Sequence, residues 1–243
     1  MLFSIIDMFR DNLLLAVLIA VLCLTLLLMS MSCHEFGHAY IAYKNGDPTA
    51  KYNGRMTLNP IAHLDIIGLA MLVFVGFGYA KPVPVNFSNL RNKRSLFFVA
   101  VAGVTINIIL AVIFSFIASL CYFLAPDNGM NAANITGFVF YLGTVINIAF
   151  FVFNLIPIFP LDGFRVVESF TSYRNKFVMF MRRYGSYILI GLIVWSLLIG
   201  RICEYVPSAA PVLKYFDVLG FVINFFAVNI ANGLFAFWGL IGF

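Results

Sequence analysis

The stretch HEFGH at residues 34–38, read together with the apolar run in front of it, decides the interpretation of this chain. That run, LLLAVLIAVLCLTLLLM at residues 13–29, contains a single polar residue, Thr25. Residues four apart on an α-helix share one face, so the imidazoles of His34 and His38 can reach one metal ion with the Glu35 carboxylate beside them. This is the H-E-x-x-H pattern of zinc-dependent hydrolases. The sequence therefore predicts a zinc motif on a helix that lies in lipid.

The composition excludes an ordinary soluble domain. Of the 243 residues, 63% are hydrophobic and 10% are charged, which is typical of a multi-pass membrane protein. The net charge of +5 comes largely from basic residues in short loops between apolar runs, so it indicates membrane orientation and not a nucleic-acid partner. The four cysteines include no C-x-x-C pair and are interpreted as small core hydrophobes: Cys23, Cys33, Cys121 and Cys203.

The apolar runs predict an all-α polytopic membrane protein with five transmembrane helices, the first capped by Asp11 or Asn12. The predicted spans are residues 11–43, 95–124, 137–156, 184–203 and 217–243. Loops 44–55, 81–94 and 165–183 are basic and are predicted to be cytoplasmic, whereas loop 125–136 has no Lys or Arg and is predicted to lie outside. The amino terminus is then outside, and both histidines lie near the cytoplasmic end of the first helix.

Two smaller features are predicted between the first and second spans. Because the loops on both sides are basic, residues 61–80 are predicted to be re-entrant, entering and leaving the membrane on the cytoplasmic side. Asn53-Gly54 suits a tight hairpin, so residues 52–60 are predicted to form a small β-ribbon at the membrane surface. We divide the chain into a core, residues 1–170, and carboxyl-terminal membrane helices of unassigned role, residues 171–243.

A catalytic zinc site needs a third protein ligand besides two histidines. The predicted topology favours Asp162, because the third span ends on the same side as the histidines and the prolines after it let the chain turn back toward the bundle. The other residues of suitable type are His63, Asp65, Glu168 and the cysteines. Two asparagines in apolar segments, Asn107 and Asn154, are candidate substrate-binding groups, and Asn107 is equally consistent with packing between helices.

The HEFGH motif combined with NLIPIFPLDG at residues 154–163 resembles the site-2 protease family of intramembrane zinc metalloproteases, in its compact form without a PDZ domain. Further agreement lies in GDPTAK at 46–51, TLNP at 57–60 and AKPVPVN at 80–86. The resemblance implies that His34, His38 and Asp162 bind one Zn²⁺ ion and that Glu35 is the general base. It also implies a transmembrane protein as the substrate, bound within the lipid bilayer.

Two other classes remain open at this point, a zinc or divalent-metal transporter and a non-catalytic membrane scaffold. A transporter needs polar ligands along several helices, and the outer half of this chain has almost none. A scaffold would keep its function after loss of the Glu35 carboxylate. The favoured function is the hydrolysis of peptide bonds in or near transmembrane segments, in a prokaryotic cell membrane, with the active site near the cytoplasmic side.

Overall fold

A computed structural model describes residues 9, 12–75, 78–125, 129, 131–172 and 174–242. Within these ranges the chain forms α-helices and no strand. In chain order the α-helices are α1 (Leu13–Lys44), α2 (Thr49–Tyr52), α3 (Pro60–His63), α4 (Ile66–Val75), α5 (Lys93–Leu124), α6 (Ala132–Leu155), α7 (Asp162–Phe170), α8 (Lys176–Tyr205), α9 (Ala210–Leu213) and α10 (Val218–Leu240). Short 3₁₀ helices cover Phe87–Asn89, Pro207–Ala209 and Lys214–Phe216.

Five helices in the described part of the chain are long and apolar enough to cross a membrane: α1, α5, α6, α8 and α10. They confirm the five apolar spans expected from the sequence. Two helices begin several residues earlier than predicted, α6 at Ala132 and α8 at Lys176. The early part of α6 includes Asn134 and Thr136, and that of α8 includes Lys176, Arg182 and Arg183, so hydropathy alone places both starts too late.

The amino-terminal cap explains where each of these five helices begins. An Asn or Asp side chain at the cap accepts a hydrogen bond from a backbone N–H in the first turn, which satisfies one of the donors left free at a helix start. The caps are Asn12, Asn92, Asn131, Asn175 and Asp217. Asp11, the other predicted cap of the first helix, lies outside the described residues.

Helices α1, α5 and α6 form the centre of the bundle. Helices α1 and α5 run antiparallel, since His38 near the end of α1 meets Val99 near the start of α5, and His34, one turn earlier on α1, lies beside Gly103, one turn later on α5. The Asn147 side-chain amide on α6 donates to the Ser30 hydroxyl on α1 over 2.9 Å, and both residues are buried. Such bonds satisfy polar groups where lipid supplies no water. Helix α10 packs against α5 and α6 through the buried Ala227 and Ala231.

The predicted β-ribbon over residues 52–60 is wrong. The structure describes all of residues 52–60, and they begin with a turn that ends α2. The Gly54 N–H bonds to the Lys51 carbonyl over 3.0 Å, and the Arg55 N–H bonds to the Ala50 carbonyl over 2.8 Å. With Gly54 at φ +66°, this is the Schellman pattern of helix ends. A glycine with positive φ serves a hairpin and a helix end equally well, so Asn53-Gly54 does not distinguish them.

Residues 61–80 form a hairpin, with α4 on one side and residues 78–80 on the other. Helix α4 has 10 residues and is about 15 Å long, half the ~30 Å of a lipid core. A Cβ on Gly68 would lie 3.0 Å from the carbonyl carbon of Tyr79, so the two sides touch through backbone. The Lys81 N–H donates to the His63 carbonyl over 2.8 Å and closes the hairpin. The chain at Lys81 thus returns to the position of His63, where the hairpin begins. Residues 76 and 77 lie outside the described residues.

Candidate metal centre and active site

Three side chains from distant parts of the chain meet inside the bundle: His34 and His38 on α1, and Asp162 at the start of α7. The Nε2 atoms of the two histidines are 3.0 Å apart. Oδ2 of Asp162 lies 3.3 Å from Nε2 of His34 and 3.1 Å from Nε2 of His38. All three residues are buried, and together they form a group that could hold a metal ion. The structure therefore brings together the three residues that the sequence proposes as ligands.

The spacing of these three atoms fits zinc. Ligand atoms at about 2.0–2.1 Å from a tetrahedral zinc ion lie ~3.3 Å from one another, and two imidazole nitrogens with one carboxylate oxygen leave a fourth position for water. Gly103 on α5 borders the same space. A Cβ there would lie 2.6 Å from Nε2 of His34, and nearer still to Nε2 of His38. The missing side chain of Gly103 leaves the room that an ion among these ligands needs.

Asp162 reaches the cluster because α6 ends at Leu155 and residues 156–161 turn the chain back. Burial alone raises the pKa of the Asp162 carboxyl. The neighbouring imidazoles of His38 and His34 outweigh that effect and hold the pKa well below its usual range. The carboxyl group is therefore ionised, which is the form that binds a metal.

Helix α5 holds the ring of His38. Nδ1 of His38 lies 2.7 Å from the carbonyl oxygen of Val99. A histidine that binds zinc through Nε2 carries its proton on Nδ1, and a carbonyl that accepts this proton fixes the ring and its tautomer. Val99 therefore acts on the metal centre through its backbone.

Glu35 is oriented by a backbone group. Its Oε2 accepts a hydrogen bond from the Val83 N–H over 2.8 Å. Val83 stands between Pro82 and Pro84, each of which restricts the residue before it to an extended conformation. Residues 81–86, which we call the strap, therefore present a single amide to the carboxylate of Glu35.

The strap is anchored by Asp47, which is fully buried. Its Oδ2 accepts from the Asn86 N–H over 2.7 Å, and its Oδ1 accepts from the Asn89 side-chain amide over 3.0 Å and the Thr49 N–H over 3.1 Å. Burial raises the pKa of Asp47, but these hydrogen bonds outweigh burial and lower the pKa. Asp47 thus ties the loop after α1 to the strap, and through the strap to Glu35.

A cavity of about 660 Å³ opens beside the metal centre, with His34, Glu35 and Asn154 in its wall. The rest of the wall is mainly apolar and comes from α1, the 61–80 hairpin, α6, α8 and α10. Asn154 on α6 also donates from its side chain to the Phe150 carbonyl over 3.0 Å. The carboxyl-terminal helices, whose role the sequence leaves unassigned, contribute side chains such as Ile193 and Leu219.

The other sequence candidates occupy different positions. Asn107 on α5 is fully buried and is not among the described residues that line the cavity. His63 and Asp65 line the cavity but lie outside the metal cluster formed by the described residues. Glu168 pairs with Arg182 on α8.

Three groups at this site escape prediction from the sequence: the Val83 N–H, the Val99 carbonyl and the space at Gly103. The two prolines around Val83 are a signal that could have identified its amide as isolated. The carbonyl of Val99 carries no such signal, because every residue has one. Gly103 is recognisable as a small residue on a helix face, but a face of small residues equally suits packing between helices.

Five helices that are candidates to span a membrane enclose two histidines and an aspartate, with a glutamate beside them. This arrangement is typical of one class of protein, the membrane metalloenzymes. Comparison with known proteins narrows the class. Peptidase family M50 matches residues 122–196, which include Asn154 and Asp162. A Bacillus subtilis (strain 168) protein described as "Putative zinc metalloprotease YwhC" is 40% identical over 180 residues, which are 67% of this chain and 81% of that protein.

A Mycolicibacterium smegmatis protein described as "Putative zinc metalloprotease Rip2" is 26% identical over 217 residues, which are 87% of this chain and 78% of that protein. Rip2 of Mycobacterium tuberculosis is 30% identical over 148 residues, 58% of this chain and 54% of that protein. No solved structure matches. The chain belongs to peptidase family M50, the site-2 protease family. It is a zinc metalloprotease, and the donor set, its spacing and the gap at Gly103 fit Zn²⁺.

Proposed function

We propose that this metalloprotease is an intramembrane endopeptidase that hydrolyses peptide bonds in or near the transmembrane segments of membrane proteins. The observation that carries the proposal is the position of the cavity. It lies among helices long and apolar enough to span a membrane, and both His34 and Glu35 are in its wall. A substrate segment in this cavity would meet the metal centre without leaving the bundle.

The proposed roles of the residues follow from their chemistry. His34, His38 and Asp162 hold the zinc ion, which supplies Lewis acidity for the hydrolysis of a peptide bond. Glu35 is the general base, taking a proton from the attacking water and passing it to the leaving amine. The Val83 N–H keeps the Glu35 carboxylate turned toward the cavity. Asn154 lines the same cavity and is proposed to bind the substrate backbone through its side-chain amide.

The substrate must be unwound before it is cut, because helical hydrogen bonds hide its peptide groups. An extended substrate can add to an exposed backbone edge by main-chain hydrogen bonds. Residues 78–80 and Pro82 line the cavity and are not helical, so they are the candidate edge. A substrate strand along this edge would pass the Glu35 carboxylate.

The membrane arrangement is also part of the proposal. Basic loops at 44–55, 81–94 and 165–183 support a position of the end of α1, and so of the metal centre, near the cytoplasmic side. The 61–80 hairpin is then re-entrant from that side, where its backbone lies against protein and the cavity. We retain residues 1–170 as the catalytic core and propose that 171–243 contribute a wall of the cavity. The bacterial relatives support a prokaryotic cell membrane as its location.

The test is cleavage of a single-span membrane protein in proteoliposomes by the wild type and by Glu35→Gln. We expect Glu35→Gln to lower the cleavage rate by at least ~10²-fold, because it removes the base, and to retain zinc, because the ligands are intact. Glu204→Gln is the matched control, since it changes a carboxylate that is 66% exposed at the far end of α8. Wild-type cleavage by Glu35→Gln would rule out the proposed mechanism.

The same vesicles separate the enzyme from a transporter. A transporter would show zinc flux that survives Glu35→Gln and disappears with His34→Ala. Flux of that kind, without any cleavage, would replace the proposed function. A comparison of membrane-protein fragments between cells with the wild type and cells with Glu35→Gln would then identify the substrates.

A further inference from the structure

The two histidines of the metal centre differ in what surrounds them. When zinc is bound through Nε2, each ring carries its proton on Nδ1, and this N–H needs an acceptor where water is scarce. His38 has one, the carbonyl of Val99 at 2.7 Å. Nδ1 of His34 is buried and makes no hydrogen bond to any residue that the structure describes. The loaded enzyme therefore needs an acceptor for the Nδ1–H of His34.

Asn107 on α5 also lacks hydrogen-bond partners within the described part of the chain, and its side-chain oxygen could accept the proton that His34 offers. It is fully buried, and neither its Oδ1 nor its Nδ2 bonds to a described residue. A buried amide without partners is unfavourable, because it has given up its hydrogen bonds to water and gained none in return. The other buried asparagine among the described residues, Asn147, has partners: its side-chain amide donates to the Ser30 hydroxyl and to the Gly143 carbonyl, each over 2.9 Å.

Helix geometry directs these two side chains toward each other. Side chains on a helix tilt toward its amino terminus, and α1 and α5 are antiparallel, so His34 and Asn107 tilt in opposite senses and converge. The ring of His34 lies beside Gly103, which is one turn before Asn107 on the same face of α5. A Cβ on Gly103 would lie 2.5 Å from Cε1 of His34, the ring atom between Nδ1 and Nε2. No side chain at 103 stands between the imidazole and the amide.

We propose that Asn107 is a positioning residue for the metal centre: in the zinc-loaded enzyme its Oδ1 accepts the Nδ1–H of His34. This replaces the substrate-binding role suggested by sequence, since the cavity wall does not include Asn107 among its described residues. Val99 and Asn107 then hold the two imidazoles from the same helix, one through a carbonyl and one through an amide oxygen. The proposal rests on His34 being a zinc ligand, and it does not depend on the nature of the peptide substrate.

The test compares zinc affinity in detergent for the wild type and three variants, measured by competition with a chelator of known affinity. Asn107→Leu keeps the branched shape and removes the acceptor, and we expect its zinc Kd to rise by about 10–100-fold, as is typical for loss of such a partner. Asn107→Asp keeps an acceptor oxygen and is expected to stay close to the wild type. Asn147→Leu is the matched control, a buried asparagine on α6 whose Oδ1 also lacks a partner among the described residues.

Thermal unfolding without zinc separates positioning from simple packing. Asn107→Leu removes an unpaired buried amide, so its metal-free Tm should equal or exceed that of the wild type, while its zinc-induced rise in Tm shrinks. The proposal is overturned if Asn107→Leu binds zinc like the wild type, or if its metal-free Tm falls along with affinity. It is also overturned if Asn107→Asp binds as weakly as Asn107→Leu, or if Asn147→Leu loses as much affinity. A wild type that binds zinc and cleaves no substrate would refute the proposed function and leave this inference standing.

Discussion

The backbone N–H of Val83 donates a hydrogen bond to Oε2 of Glu35 over 2.8 Å, across 48 positions of sequence. This contact joins the strap to the residue that we propose as the general base. Because Asp47 anchors the other end of the strap, a buried carboxylate in one loop helps to set the position of the carboxylate in the active site.

Replacing Val83 with Pro removes the N–H while keeping the extended conformation that the strap already has. A hydrogen bond to a charged group contributes about 1.5–3 kcal/mol, so we expect kcat for cleavage to fall by ~10–100-fold, with zinc content unchanged. Val83→Ala is the control, because it shortens the buried side chain and keeps the amide. Equal kcat values for the two variants would show that the amide does not orient Glu35.

Asp47→Asn should destabilise the protein in a pH-dependent manner. The pKa of Asp47 is lower in the folded state, so its contribution is complete above the unfolded-state pKa of about 3.9 and is lost as the pH falls through the folded-state pKa. Near pH 7 we expect Asp47→Asn to lower the free energy of unfolding by ~1–3 kcal/mol. The difference from the wild type should begin to shrink below about pH 4 and should close only below the lower, folded-state pKa. Denaturant unfolding in detergent over a pH series measures the free energy of unfolding of the wild type and of Asp47→Asn. A difference between them that stays constant at every pH would contradict the prediction.

Gly103→Ala should weaken zinc binding while the bundle remains folded. The new Cβ would meet both Nε2 atoms, and neither imidazole can retreat without leaving its ligand position. Overpacking of this kind costs about 1–3 kcal/mol, so we expect a zinc affinity ~10-fold or more below the wild type. Gly191→Ala on α8 is the control, because a Cβ there has open space around it. The measurement is zinc content by mass spectrometry. Full zinc occupancy in Gly103→Ala would show that the space beside Gly103 is not needed for zinc binding.

Gly68→Ala should loosen the 61–80 hairpin. A Cβ at this position would overlap the backbone of Tyr79, and backbone cannot move aside as a side chain can. We expect faster hydrogen exchange at the Lys81 amide, which bonds to the His63 carbonyl, and slower cleavage of the membrane substrate. Gly233→Ala on α10 is the matched control, because a Cβ there would meet no atom of another described element within 4 Å. Unchanged exchange at Lys81 in Gly68→Ala would mean that the hairpin tolerates the extra methyl group.

Much of this protein is predictable because the relevant signals are local. The spacing of His34 and His38 follows from helical periodicity, the five spans follow from runs of apolar residues, and the polar caps set where the long helices begin. The proposal of Asp162 needs one additional step, that two helices ending on one side of a membrane bring their ends together. The β-ribbon at 52–60 is wrong because a positive-φ glycine is compatible with two kinds of turn.

The sequence alone determined the spans, the two histidines on one helical face and the carboxylate at position 162 as the best third ligand. The tertiary structure decided that the Val83 amide faces Glu35, that Gly103 leaves room beside the imidazoles, and that α8 and α10 help to enclose the cavity. The physical reason is that periodicity and hydropathy depend on neighbours along the chain. Backbone groups and missing side chains have no such pattern, so their role appears only when distant segments are packed together.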